Sequence, residues 1–305
     1  MRRPRPDGDP DVLRDTAWLS DERALVQLPS LQSLAYLRAY LPEDRGSTSG
    51  AGRARLTYAG FGDPILGRDA SIRGSRSAGL APIAAEDLFG DTDSRLTRSL
   101  VDPDLLRGLS RLPGTRAEVQ EVGRSIPFAQ SDLFVGADMT EAAIRKTDLA
   151  NVSVLHLATH GVTSAESGGV AEPGLVFTPP RAASFENDGY LSASEVVELD
   201  LASALWVILS ACNTAAGSDE ESYEGLTGLA RSFFLAGAPS LLVSHWPVFD
   251  DVAARLSADA VRLNDRGRSK AEALQQAIRK VRDDPAMDAY HPAVWAPFTL
   301  VGEGR

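Results

Sequence analysis

Three apolar runs in the second half of the chain, "NVSVLHLATHG", "ALWVILSAC" and "PSLLVSHWPV", are each about one strand long, and helix-patterned segments separate them. A strand written as a continuous apolar block, without the polar alternation of a half-solvated strand, is buried on both faces. Such strands alternating with helices imply an α/β fold: a mostly parallel central sheet with helices on both faces. Chemistry in sheets of this kind gathers at the carboxyl ends of the strands.

The pattern extends in both directions. "TRAEVQEVGRSI" reads as a helix, with Thr115 three residues before Glu118 as a capping box. "DLFVG" follows as a strand, "TEAAIRKTD" as a helix, "PGLVFTP" as a shorter strand, "SASEVVELD" as a helix and "YEGLTGLARSFFLAG" as a helix closing on Gly237. The helices "DDVAARLSADAVRLND" and "SKAEALQQAIRKVRD" precede a last short strand, "PFTLVG". The first third is less regular. "RALVQLPS" reads as a strand leading into the helix "LQSLAYLRAY", and "RLTYAGFGDP" as a strand opening a long flexible loop over about residues 63–112, with a short helix near Asp102 to Leu109. Residues 1–19 are expected to be a disordered or truncated leader, and 20–305 one domain.

Several function classes fall away on composition. One cysteine in 305 residues forms no internal disulfide, and no Cys/His cluster has metal-ligand spacing, so neither a metal nor another cofactor is expected. The N-terminus lacks the apolar stretch of a signal peptide, and no apolar run approaches the ~20 residues of a membrane span, which points to the cytoplasm. A formal charge of −11 repels phosphate backbones and disfavours direct nucleic-acid binding.

Two strand ends carry the chemistry. "VLHLATHG" ends at His160, and "VILSAC" ends at the lone cysteine, Cys212. If the two strands are parallel neighbours, both residues project from one sheet edge, where an imidazole takes the proton of a thiol whose free pKa is near ~8.5. Gly161 lets the backbone approach closely and frees an N–H for a developing oxyanion, with the N–H of Cys212 as second donor. The bland reading is that Cys212 is a small packing residue. Four histidines compete for the role of base. His156 lies within its strand and reads as a core histidine, His245 flanks the same cleft, and His291, before a proline, reads as a turn residue.

The pairing of "VLHLATHG" with "VILSACNTAAG" and "EGLTGLARSFFLAGAPSLLVSHWPVFDD" resembles the CHAT domain, a bacterial branch of the caspase-like (clan CD) cysteine peptidases to which separase is related. "YAGFGDP", "LPGTRAEVQEV" and "HPAVWAPFTLVG" fall in the family's order, so the resemblance runs from about residue 20 to the end. It implies a caspase-like three-layer sandwich, with His160 as general base, Cys212 as nucleophile, and the amides of Gly161 and Cys212 as the oxyanion hole.

The resemblance also implies a specificity. The residue two before the nucleophile, Ser210, lines the pocket and is neutral, so another wall chooses the charge. "WPVFDD" matches the separase-like form Trp-x-Val-x-Asp: Trp246 opens it, Asp250 holds the acidic position that pairs with a substrate arginine, and Asp251 stands beside it. Cleavage after Arg, or less well Lys, is the expectation. Asp250 is equally in place to cap the helix "DVAARLSADAV". The acidic run Ser218 to Gly225 sits where a loop gates a cleft, and Glu224 is expected as an additional substrate contact.

The family's association with bacterial defence implies a protein substrate and an activating or tetratricopeptide-containing protein partner, although no such repeat is read in this sequence. Two other classes compete with an endopeptidase. One is a catalytically silent CHAT-fold interaction module, and the other a thiol hydrolase or acyltransferase acting on a small molecule. Self-cleavage in the arginine-rich stretch between Arg68 and Arg111 is a further expectation.

Overall fold

The computed structural model describes residues 10–28, 35, 38, 56–67, 101–162, 172–210, 222–246 and 248–305. Its helices are α1 (Pro10–Arg14), α2 (Leu19–Glu22), α3 (Pro103–Arg107), α4 (Gly114–Ser125), α5 (Glu141–Lys146), α6 (Ala193–Val197), α7 (Ser222–Leu235), α8 (Asp250–Asp265), α9 (Lys270–Arg282) and α10 (Pro292–Trp295). Its strands are β1 (Thr57–Pro64), β2 (Gln130–Gly136), β3 (Val154–Ala158), β4 (Gly161–Val162), β5 (Gly174–Val176), β6 (Tyr190–Ser192), β7 (Trp206–Leu209), β8 (Ser240–Ser244) and β9 (Phe298–Gly302).

Six strands form the central sheet in the order β2-β1-β3-β7-β8-β9. The first five run parallel and β9 closes the edge antiparallel to β8. Because side chains alternate faces along a strand, each apolar block feeds two cores at once. Leu155, Leu157, Val207, Leu209, Leu241 and Val243 join Ile144, Val196 and Phe233 of α5, α6 and α7 on one side. Val154, Trp206, Ile208, Leu242 and Leu300 join Val122, Leu256 and Leu274 of α4, α8 and α9 on the other. The fold is therefore the three-layer sandwich expected. Each such side chain taken from water contributes about 1.5–3 kcal/mol, which is why runs this apolar do not remain at the surface.

Local chemistry sets the helix ends. Thr140 caps α5 by accepting from the Ala143 N–H, and Ser269 and Glu272 form a reciprocal capping box on α9. After α7 the chain reverses at Gly237, whose φ of 102° is a conformation that side-chain-bearing residues rarely adopt.

Several expectations are corrected. "PGLVFTP" supplies no strand to the central sheet: β5 is the middle of a three-stranded antiparallel sheet, β4-β5-β6, which begins directly after His160. A three-residue apolar run has no period to reveal which sheet it joins. "RALVQLPS" yields no described strand. Gln27 alone bridges Val301, while most of the helix expected at 31–40 lies outside the described residues. Thr115 and Glu118 form no capping box, because Pro113 is the N-cap of α4 and both side chains turn inward. Of the loop expected over 63–112, residues 68–100 lie outside the described residues. Both of its described ends are packed: Leu66, Val101 and Leu106 are buried against Val162, Val176 and Tyr190.

Candidate active site

The carboxyl ends of β3 and β7 are neighbours. Their register pairs Val154 with Trp206 and ends at Leu157 opposite Leu209, and the Ser210 N–H adds one bond to the Leu157 carbonyl at 3.0 Å. His160 comes three residues after the last pair on one strand, and position 212 three residues after it on the other. Cys212 itself lies outside the described residues, as do Pro247 and the side chain of Glu224.

His160 is held rigidly from both sides of its backbone. The Thr159 hydroxyl donates to the Val176 carbonyl, and the Val176 N–H donates to the His160 carbonyl at 3.0 Å. The second bond defines Gly161 and Leu175 as a pair that exchanges no ladder hydrogen bonds. The Gly161 N–H therefore points out of the small sheet.

The ring of His160 is buried, and its Nε2 lies 2.7 Å from the Ser110 carbonyl oxygen. A carbonyl only accepts, so Nε2 carries the hydrogen and the neutral ring keeps its lone pair on Nδ1. Burial lowers the pKa of His160 below 6.5, and the Ser110 carbonyl, which favours the charged ring, opposes that shift in part. At neutral pH the ring is an uncharged base with a fixed tautomer.

The other histidines have different surroundings. His156 is fully buried with both nitrogens engaged: Nδ1 is 3.1 Å from the Tyr58 hydroxyl and Nε2 is 3.0 Å from Glu118. The Tyr58 hydroxyl donates its one hydrogen to the Val119 carbonyl, so His156 Nδ1–H must donate to it, and the other side of the ring shares a proton with Glu118. It is a core histidine. His245 is half-buried with its pKa lowered by desolvation, and His291 caps α10 by accepting from the Ala293 N–H.

Of the expected pocket residues, Ser210 is buried at the end of β7. Trp246 is partly exposed, and its indole N–H is held by the Ala293 carbonyl at 2.8 Å. Asp250 is the first residue of α8 and not its cap, a position held by Phe249. Its carboxylate is solvent-accessible on one side and lies against Gly114, the first residue of α4, on the other. No cation among the described residues pairs with it. Partial desolvation, then the negative charges of Glu118 and Asp251, raise its pKa above the ordinary aspartate value. Asp251 is exposed, and its carboxylate accepts from the Val252 N–H.

Four participants escaped the sequence reading: the Ser110 carbonyl and the cluster of Asp63, Arg111 and Arg116. Asp63, buried at the end of β1, accepts from Arg111 at 3.0 and 3.2 Å and from Arg116 at 2.8 Å. Only the aspartate between glycine and proline in "FGDP" offered a signal, that of a turn.

The family model described as the CHAT domain matches residues 5–303. The chain belongs to the CHAT domain family. Among curated proteins, this CHAT chain is 35% identical over 113 residues to tetratricopeptide repeat protein 28 of Mus musculus and 34% identical over 118 residues to that of Homo sapiens. In each case the match covers 37% of this chain and 4% of the relative's length. Among solved structures it is similar to the Arg specific cysteine proteinase gingipain R, at 11% identity and a TM-score of 0.42, over 65% of this chain and 42% of that one. It is also similar to the complex of Porphyromonas gingivalis RgpB pro- and mature domains, at 10% identity and a TM-score of 0.45, over 89% and 52%. The architecture is a three-layer sandwich with a mostly parallel central sheet.

Proposed function

We propose that this CHAT domain is a cysteine endopeptidase in which His160 Nδ1 takes the proton of the Cys212 thiol. The sulfur then attacks the scissile carbonyl carbon, and the N–H groups of Gly161 and Cys212 receive the oxyanion. The imidazolium returns its proton to the leaving amine, and water, deprotonated by the same ring, releases the acyl group. The observation that carries the reading is the Ser110 carbonyl on Nε2 of His160, which leaves Nδ1 as the base. The β3–β7 register supports it, because positions 160 and 212 follow the last paired residues, Leu157 and Leu209, by the same three steps along the sequence.

The preferred substrate is a protein cut after arginine, or less well lysine. Asp250 supports this choice: its carboxylate is accessible, lacks a cation among the described residues, and sits in a field of like charge that an incoming guanidinium would relieve. Gly114, which it touches, is four residues after Ser110, so chain length keeps the two contact points within about 14 Å. Control by a protein partner in a bacterial defence or signalling system is part of the same proposal.

Hydrolysis of an arginyl-aminomethylcoumarin peptide tests it. Activity lost in both Cys212→Ala and His160→Ala supports the dyad. A wild-type protein that neither cleaves, with or without co-encoded partners, nor reacts with alkylating agents at neutral pH is a silent interaction module.

A further inference from the structure

Ser110 is an exposed residue on a short connector between α3 and α4, yet its carbonyl must meet a buried ring at hydrogen-bonding distance. Something has to hold that peptide. The carbonyl of Ser110 belongs to the peptide unit whose nitrogen is that of Arg111, and the unit is planar, so fixing Arg111 orients the carbonyl. Arg111 is fixed by a two-point fork on Asp63, Nε to Oδ1 at 3.0 Å and Nη2 to Oδ2 at 3.2 Å.

Asp63 is itself over-determined. Its φ of 54° is uncommon for a residue with a side chain, though aspartate tolerates it better than most. It follows Gly62, which is paired with Ala158 at the end of β3, so it belongs to the same sheet rim as His160. Its N–H donates to the Thr115 hydroxyl at 2.7 Å, and that hydroxyl donates to the Leu112 carbonyl at 2.7 Å. One residue thus grips positions 111, 112 and 115 through its side chain and its backbone, with Arg116 closing the cluster from α4.

We propose that Asp63 and Arg111 are positioning residues for the base, holding the Ser110 peptide so that its carbonyl locks the tautomer and orientation of His160. Neither touches substrate in this scheme; both act through Ser110. The role of His160 as base rests on the peptidase reading, but the clamp on its ring is a property of the fold and is measurable without turnover. Among the described residues, burial lowers the ring's pKa and the Ser110 carbonyl raises it. Losing the carbonyl therefore leaves burial unopposed.

The experiment is an NMR titration of the His160 ring in Cys212→Ala protein, which has no thiol to couple with it, with the resonance assigned through His160→Ala. Arg111→Ala should lower the midpoint by about one pH unit, the worth of one hydrogen bond to a charged ring. Asp63→Asn, which keeps the shape and tolerates the positive φ, should lower it in the same direction. Arg116→Ala leaves the Arg111 fork intact and should move it by less than a third as much. Unchanged midpoints in folded Arg111→Ala and Asp63→Asn, or an equal fall in Arg116→Ala, would overturn the proposal. A wild-type protein silent toward peptides bears on the peptidase reading and leaves this result standing.

Discussion

The carboxylate of Asp250 fills the space beside Gly114 that a side chain at position 114 would need. Two variants then probe one pocket. Asp250→Asn should reduce kcat/KM for arginyl peptides about 10- to 100-fold, the range expected for a lost charge-assisted pair, with neutral peptides unaffected. Gly114→Ala drives its Cβ into the whole Asp250 side chain down to the Cβ, which is fixed on α8, so the same selectivity should fall together with the melting temperature. Equal losses on arginyl and neutral peptides would remove Asp250 from the pocket.

His160 predicts a pH dependence for both activity and stability. Its folded pKa is lowered, so below 6.5 the unfolded chain takes up a proton that the native ring still refuses. Stability falls as pH drops below 6.5, until the native ring also protonates. His245, lowered by burial too, contributes with the same sign. Denaturant midpoints at pH 7.0 and about 5.5 for wild type and His160→Asn isolate the first term: the variant should lose less on acidification. In activity, the acidic limb of kcat/KM should lie below 6.5.

The buried pair of His156 and Glu118 joins β3 to α4. His156→Leu leaves a carboxylate in the core without its proton partner and should cost about 3–5 kcal/mol by equilibrium unfolding. Glu118→Gln keeps a hydrogen-bonding partner and should cost about 1–2 kcal/mol. A double variant, His156→Leu with Glu118→Leu, should lose less than the sum of the losses measured for His156→Leu and Glu118→Leu singly; strict additivity would show the pair to be uncoupled.

Arg145 holds two buried carboxylates, Glu141 at 3.0 Å and Glu195 at 2.7 Å, and Glu141 in turn accepts the Asp188 and Gly189 N–H groups that lead into β6. Burial already raises the pKa of Glu141, with Arg145 opposing it. Arg145→Ala should destabilise by about 3 kcal/mol at neutral pH, and the deficit should shrink on acidification, because a carboxyl raised in the folded state gains stability as it protonates. A deficit of equal size at pH 5 and pH 7 would count against this account.

The apolar blocks "VSVLHLA" and "ALWVIL" were legible as buried parallel strands because a side chain's preference for burial is a local property, written at each position. The same legibility extended to helices α4, α5, α7, α8 and α9, whose apolar period is written within one segment. Position 160, just past a strand end, was legible for the same reason. Other features were not. "GLV" of β5 satisfies every local criterion for the central sheet, and only register and crossover geometry assign it to the small one. Thr115 and Glu118 have the spacing of a capping box, but Asp63 and His156, both distant in sequence, offer stronger partners in the interior.

By itself the sequence determined the layered α/β architecture, its family, and which imidazole stands at a strand end. Tertiary structure alone decided what touches that imidazole, because a backbone carbonyl such as that of Ser110 is chemically the same at every position. It also decided that Asp63 grips Arg111 and that Asp250 packs on Gly114, since contacts between remote segments depend on how the whole chain closes and leave no mark in local residue order.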